Sequence, residues 1–286
     1  MKLISAEFLL LMPQKNRLIS NSLAMLVNRL TQGIATFVLT ATIARTLGAD
    51  ALGQYLLAMN YYFIFVNFVS QGFKTLFTRE LSLNPEIAPI YLVNGTLLQL
   101  AFGIVGYLVM SAIVFILPYS DSASTLCYIM GVMIIPFALS NITEAILQAQ
   151  EKMHLIAFST VPIYIGRLLT IIWALSSHYG LETVAVILIV SETLISIVQW
   201  LLILNIVKPK WQIDRDFIWK AVKASKTFFA LEGMGIIASR IDVLILSLLG
   251  SEALIGIYGA IGQLLQPYDI VSSSLSLQLF QVCQKL

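Results

Sequence analysis

Charge is what this sequence has least of. Only 11% of its 286 residues are Asp, Glu, Lys or Arg, against 58% that are hydrophobic. A water-soluble domain keeps about a quarter of its residues charged. So little polar surface cannot wrap a soluble globule, and the natural solvent of this chain is lipid. Histidine is nearly missing: His154 and His178 are the only two, and the topology derived below puts them on opposite sides of the membrane. Cysteine is as scarce. Cys127 and Cys283 sit in apolar surroundings without metal-ligand spacing, which fits small core residues better than a disulfide or a zinc site. No phosphate-loop or nucleophile motif is present, and no metal or cofactor is implied. With a net charge of +2 and no basic run interleaved with aromatics, nucleic acid is excluded as a partner. Long polar loops are lacking too, whereas a membrane-embedded sugar polymerase, ligase or glycosyltransferase would need catalytic groups in a sizeable loop. Their absence counts against an enzyme.

What is present is a series of apolar runs. A hydrocarbon core of ~30 Å takes about 20 helical residues, and this yardstick gives about eight spans: Ser22–Thr46, Gln54–Leu76, Ile90–Leu117, Thr125–Leu147, Leu155–Ser176, Thr183–Ile206, Thr227–Leu249 and Leu254–Leu279. The fold class expected is therefore all-α, a polytopic transmembrane helical bundle. Lysine and arginine set its orientation. One set of connections carries Lys2, Lys15, Arg17, Lys74, Arg79, Lys152 and the basic residues between Lys208 and Lys226; the opposite set carries only Arg45. The N-terminus and the 208–226 link are accordingly expected in the cytoplasm. Phe8 to Met12 is too short for a signal-peptide core, so residues 1–20 read as a cytoplasmic lead-in. In residues 207–226, Phe217, Ile218, Ala221 and Val222 share one helical face, which predicts an interfacial helix on the cytoplasmic leaflet, with a solvated linker as the alternative.

One self-match organises the chain. "LGADALGQY" (Leu47–Tyr55) joins the first two spans and "LGSEALIGIY" (Leu249–Tyr258) joins the seventh and eighth, with Ile255 as one extra residue. Gly48 and Gly250 suit a helix stop, and the acid that follows suits the start of the next helix. An even number of spans separates the copies, so the two halves keep one orientation and their pseudo-two-fold axis runs along the membrane normal. Residues 21–206 then form a complete six-helix first lobe, residues 207–226 a cytoplasmic linker, and residues 227–286 the first two helices of a second lobe, with four helices wanting by symmetry.

Three segments carry a family likeness. "ARTLGADALGQYLLA" (Ala44–Ala58), "ILQAQEKMHLIA" (Ile146–Ala157) and "SRIDVLILSLLG" (Ser239–Gly250) occur in order along the chain. Together they resemble the first inter-helix turn, the turn after the fourth helix and the seventh helix of polysaccharide flippases in the MATE-like exporter superfamily. The resemblance implies two six-helix bundles around a central cavity and alternating access that carries an undecaprenyl-pyrophosphate-linked oligosaccharide, such as an O-antigen unit of lipopolysaccharide, across the bacterial inner membrane. A lipid-linked oligosaccharide, the membrane lipids, and polysaccharide polymerase and chain-length machinery are the partners it implies. Two alternatives stay open: a cation-coupled multidrug exporter of the same fold, and a flippase fragment without activity of its own.

Polar side chains within the spans give the site residues. Asn21, Asn28, Gln32, Thr36 and Thr40 recur along one face of the first span; Asn60, Asn67, Gln71, Lys74 and Thr78 do so in the second. Such stripes belong on a wet cavity, where sugar hydroxyls can meet them, or on helix–helix hydrogen bonds. Arg29, Arg167 and Arg240 lie inside spans, where each buried charge costs on the order of 2.5–3.5 kcal/mol. Guanidinium groups suit a pyrophosphate because they stay charged and grip phosphate oxygens bidentately. Expected substrate-binding residues are therefore Arg29, Arg240, Asn28, Gln32, Asn60, Asn67, Gln71 and Arg167, with a structural ion pair to Glu192 as the alternative role of Arg167. Asp242, Glu192 and Glu232 are candidates for coupling to a proton or sodium ion, or else counter-charges of the arginines. Pro136, Pro162 and Pro267 are expected to interrupt spans four, five and eight.

Overall fold

The computed structural model describes residues 14–263, with side chains for all of these except 14–19, Gln71, 226–234, 236, 237 and 239. The described part is all-helical and holds no strand: α1 (Gln14–Leu83), a 3-10 turn (Pro85–Ile87), α2 (Ala88–Ile116), α3 (Asp121–Gly131), α4 (Ile134–Ala149), α5 (Met153–Ser176), α6 (Leu181–Leu204) and α7 (Arg215–Leu249). A further helix, α8, covers residues 252–263. Five stretches are long and apolar enough to cross a membrane: Ser20–Leu83, Pro85–Ile116, Asp121–Ala149, Met153–Ser176 and Leu181–Leu204. The first of these holds two crossings. Its helix breaks at Gly48, whose φ of 87° and ψ of −177° leave helical geometry in a region that only glycine enters without strain. Near the start of the first arm, Asn21 Nδ2 donates to the Glu151 carbonyl (2.6 Å). Near the end of the second, Lys74 pairs with Glu144 (2.5 Å). Both arms thus reach the same end of the bundle, so the chain reverses at Gly48.

That end, marked by Lys74 and Lys152, is called the lysine-rich end below; the Gly48 turn lies at the opposite, or turn, end. Two apolar clusters fill the bundle between them. Leu39, Ile43, Tyr55, Met130 and Leu188 belong to the cluster nearer the turn end, and Phe73, Phe77, Leu92, Ile146 and Ile203 to the one nearer the lysine-rich end. Large apolar residues also face outward, among them Leu108, Leu169, Val190 and Leu201, as expected where the surroundings are acyl chains. Helices approach closely at small residues: a Cβ on Gly103 would touch that of Ala138 at 3.4 Å.

The fourth crossing is two helices. Pro136 has no N–H, and its ring excludes the carbonyl of the residue four positions earlier; that residue is Val132, where α3 gives way to α4 through short turns at Val132 and Met133. Pro162, by contrast, sits inside an unbroken α5, and Pro267 lies outside the described residues.

The expected linker and seventh span turn out to be continuous, since α7 runs without a break from Arg215 to Leu249. Its apolar face also lies elsewhere than anticipated. Phe217, Ile218, Ala221 and Val222 pack into the apolar cluster nearer the lysine-rich end. The reason is a partner that the sequence period cannot show: Phe217 meets Tyr91 edge-on (4.5 Å) and stacks near Phe77 (6.2 Å). Ahead of it, residues 205–214 form a strap fastened by Asn94. That wholly buried amide donates to the Gln212 carbonyl (2.9 Å) and accepts from the Asp214 N–H (2.9 Å).

Candidate functional site

The two copies of the self-match meet at the turn end. Gly53 and Gly256 occupy the same place in their copies, and each faces the other copy's backbone. A Cβ on Gly53 would lie 1.8 Å from the Glu252 carbonyl oxygen; one on Gly256 would lie 2.3 Å from the Ala49 carbonyl oxygen. Glycine is required here because two backbones occupy the space of a side chain. The Glu252 carboxylate clasps the contact, accepting from Gln54 Nε2 (2.7 Å) and from the Ser120 hydroxyl. Deeper in, Tyr119 joins α1 to α7 through hydroxyl contacts to Tyr61 (2.8 Å) and to Ser247 (2.9 Å). Asn60 Nδ2 then donates to the Arg240 carbonyl (3.4 Å), and the Arg240 guanidinium lies 5.1 Å over the Phe63 ring. At 1.5 Å per residue, Gln54 to Phe63 is ~14 Å of helix, so α1 touches α7 and α8 through about half a bilayer core.

Toward the lysine-rich end the first arm of α1 behaves differently. Leu23, Leu26, Leu30 and Ile34 are each at least half exposed, and an open cavity of about 470 Å³ is lined by Ser22, Met25, Leu26, Arg29, Gln148 and Met153. Arg29 is exposed and makes no hydrogen bond or ion pair among the described residues. In the turn before α5, Lys152 is held below its ordinary pKa by burial and donates to Gln150 (3.1 Å).

A second polar set is enclosed between α1, α4, α5 and α6. Arg167 pairs with Glu192 (3.1 Å), both side chains being about nine-tenths buried, and the guanidinium also lies 4.7 Å over the Tyr164 ring. Glu144 takes Lys74 on one oxygen and Gln199 Nε2 (3.2 Å) on the other; Gln199 in turn accepts from Thr143 (2.9 Å). These bonds join α1, α4 and α6 and give the buried charges partners, as a low-dielectric interior demands.

The profile of a protein family described as polysaccharide biosynthesis protein matches residues 18–277. The chain belongs to that family. No individual curated protein matches it. Members of the polysaccharide biosynthesis family are polysaccharide transporters, and the apolar helices are those of a multi-pass membrane protein.

Within this family member the residues expected at the substrate site divide into three groups. Arg29 and Gln32 are exposed on the first arm, and Arg29 lines the open cavity. Asn60 and Arg240 meet where α1 packs against α7. Of the others with described side chains, Asn28 Oδ1 accepts from Thr160 (2.7 Å), Asn67 donates to the Phe63 carbonyl of its own helix (2.6 Å), and Arg167 is paired with Glu192. Of the acids, Asp242 is exposed and accepts from the Tyr258 hydroxyl (2.6 Å). The side chains of Gln71 and Glu232 lie outside the description. Several residues were not singled out from sequence. Tyr119 belongs to an aperiodic turn, and Asn94 shares its helix with one other amide, Gln99, five residues on and off its face, so neither gave a signal. Gly53, Gly256 and Glu252 did carry one, because the self-match aligns them.

Proposed function

We propose that this protein moves an undecaprenyl-pyrophosphate-linked oligosaccharide, an O-antigen repeat or a similar unit, from the cytoplasmic to the outer leaflet of the bacterial inner membrane by alternating access. The lysine-rich end faces the cytoplasm in this reading, as does the N-terminus. The observation that carries it is the asymmetry of the lobe interface: the turn end is closed by the two glycine turns, while an unpaired arginine lines a cavity open at the other end. That is the arrangement of a carrier waiting for cargo from the cytoplasmic side.

Arg29 lies ~28 Å along its helix from the Gly48 turn, and Arg240 ~15 Å from Gly250. The two guanidinium groups thus mark levels ~13 Å apart on the way through. Arg29 receives the pyrophosphate at the lysine-rich end; Arg240, free of any ion pair among the described residues, takes it up once the closed half opens. Gln32 offers an amide to the first sugar. Arg167, neutralised by Glu192, serves the first lobe's internal packing instead. Asp242, exposed and accepting from the Tyr258 hydroxyl and the Val243 N–H but in no ion pair among the described residues, is the carboxylate left to exchange a coupling ion. Polymerase and chain-length proteins act on the delivered unit.

The test is polymer export in cells that lack their own flippase. Arg29→Ala and Arg240→Ala should each abolish export without reducing the amount of inserted protein. Normal export in both variants would sink the headgroup assignment.

A further inference from the structure

The strap and the first turns of α7 leave a basic, aromatic face that transport does not use. In residues 215–225 the buried and half-buried positions, Phe217, Ile218, Ala221, Val222 and Ser225, form the side turned to the first lobe, and the exposed ones lie opposite. Arg215, Trp219 and Lys223 follow one another at four-residue steps along that exposed side. The strap adds Lys208, Lys210, Trp211 and Ile213, and Trp211 and Trp219 are 83% and 70% exposed. Against these cations stand Asp214, occupied in capping the Phe217 N–H (3.0 Å), and Asp216. Exposed tryptophans among cations at the end of an apolar span match the headgroup level of a bilayer, where rings sit at the boundary and cations meet phosphates.

This face is also held in shape. Asn94 fastens both sides of Ile213 through Gln212 and Asp214, the Lys210 N–H donates to the Pro89 carbonyl (3.2 Å), and the Tyr91–Phe217 contact fixes the start of α7. A ligand therefore meets side chains already in position, and little ordering entropy is lost on binding.

We infer that this face is a preformed site for the phosphodiester headgroups of anionic phospholipids of the adjoining leaflet, with Asn94 as its positioning residue. The site needs only that the chain is embedded in a membrane, so it stands or falls separately from the transport reading. The test uses the full chain in lipid nanodiscs, with Trp173→Phe and Trp200→Phe leaving Trp211 and Trp219 as reporters. A minor fraction of brominated phosphatidylglycerol or brominated phosphatidylcholine is included in a phosphatidylcholine bilayer, and tryptophan quenching is read. Each basic residue near an anionic surface contributes about fivefold in local lipid enrichment, so the anionic quencher should act at least fivefold more strongly at equal fraction. Salt at ~1 M, where the screening length falls to ~3 Å, should erase that preference. So should joint replacement of Lys208, Lys210, Arg215, Lys220 and Lys223 by Gln, changes confined to exposed positions. Asn94→Ala should reduce the preference while both tryptophans still contact lipid. Equal quenching by the two lipids, or a preference that survives the neutralised variant, overturns the site; an unchanged preference in Asn94→Ala overturns the positioning role.

Discussion

Placing one methyl group at Gly53 should open the turn end of the molecule. The new Cβ would stand 1.8 Å from the Glu252 carbonyl oxygen, where an ordinary carbon–oxygen contact needs about 3.3 Å. Both groups belong to helical backbone, so the turns must part by roughly 1.5 Å. The Gln54–Glu252 bond, now 2.7 Å, would then stretch to roughly 4 Å, beyond hydrogen-bond range, and the Ser120 contact would loosen with it. A hydrogen bond to a charged group is worth about 1.5–3 kcal/mol. Losing both puts the cost to the turn-end-closed state at about 3–6 kcal/mol, against 1.4 kcal/mol for each tenfold change in population. The assay is maleimide labelling of Ser22→Cys, which lines the open cavity, in a background with Cys127→Ala and Cys283→Ala. Gly53→Ala should lower the labelling rate at least tenfold as the population moves to the state closed at the lysine-rich end. Gly166→Ala, at a position where a Cβ meets nothing within 4 Å, should leave the rate unchanged. Undiminished labelling in a well-inserted Gly53→Ala protein would refute the reasoning that these glycines form the closed gate.

Three other outcomes follow from the same contacts. Tyr119→Phe removes the hydroxyl that touches both Tyr61 and Ser247; it should weaken the closed interface by about 1–3 kcal/mol and move Ser22→Cys labelling in the same direction, though less far. Arg167→Leu leaves Glu192 buried without its partner and should cost about 3–5 kcal/mol, whereas Arg167→Leu with Glu192→Leu should recover much of it; thermal unfolding in detergent reads both. Asn94→Ala removes three hydrogen bonds, to Ile90, Gln212 and Asp214. At about 0.5–1.5 kcal/mol each this frees the strap more than it destabilises the bundle, so trypsin should cut after Lys210, which precedes Trp211, at least tenfold faster.

The crossings were readable from sequence because lipid imposes one requirement on every span, a run of about 20 apolar residues, and the arms of α1 together with α2 to α6 meet it within a few residues of the expected limits. The repeat was readable for a related reason, since Gly53 and Gly256 keep their places in two copies of one turn. What the repeat could not show is that the copies touch, because contact between segments some 200 residues apart leaves no local trace. The polar stripe of the first arm illustrates the same limit. Asn28 and Arg29 are chain neighbours, yet Asn28 bonds to Thr160 while Arg29 faces the cavity. A period of 3.6 groups residues by face but does not say what covers that face. Phe217 is a second instance: its amphipathic period pointed to a leaflet, and Tyr91 and Phe77 cover it instead. Gly48 marked the first turn correctly, whereas Gly250, extended at φ −116°, ends α7 without the left-handed geometry found at Gly48.

The most direct test of the proposed transport is a binding measurement at Arg29. Purified protein would be titrated with undecaprenyl pyrophosphate and, separately, with undecaprenol, which has the same chain and no phosphate. The diphosphate should bind at least tenfold more tightly, and Arg29→Ala should bring the two affinities together. Equal affinity of the unaltered protein for both lipids would contradict a headgroup site in the Arg29 cavity, and with it the cytoplasm-facing carrier proposed here.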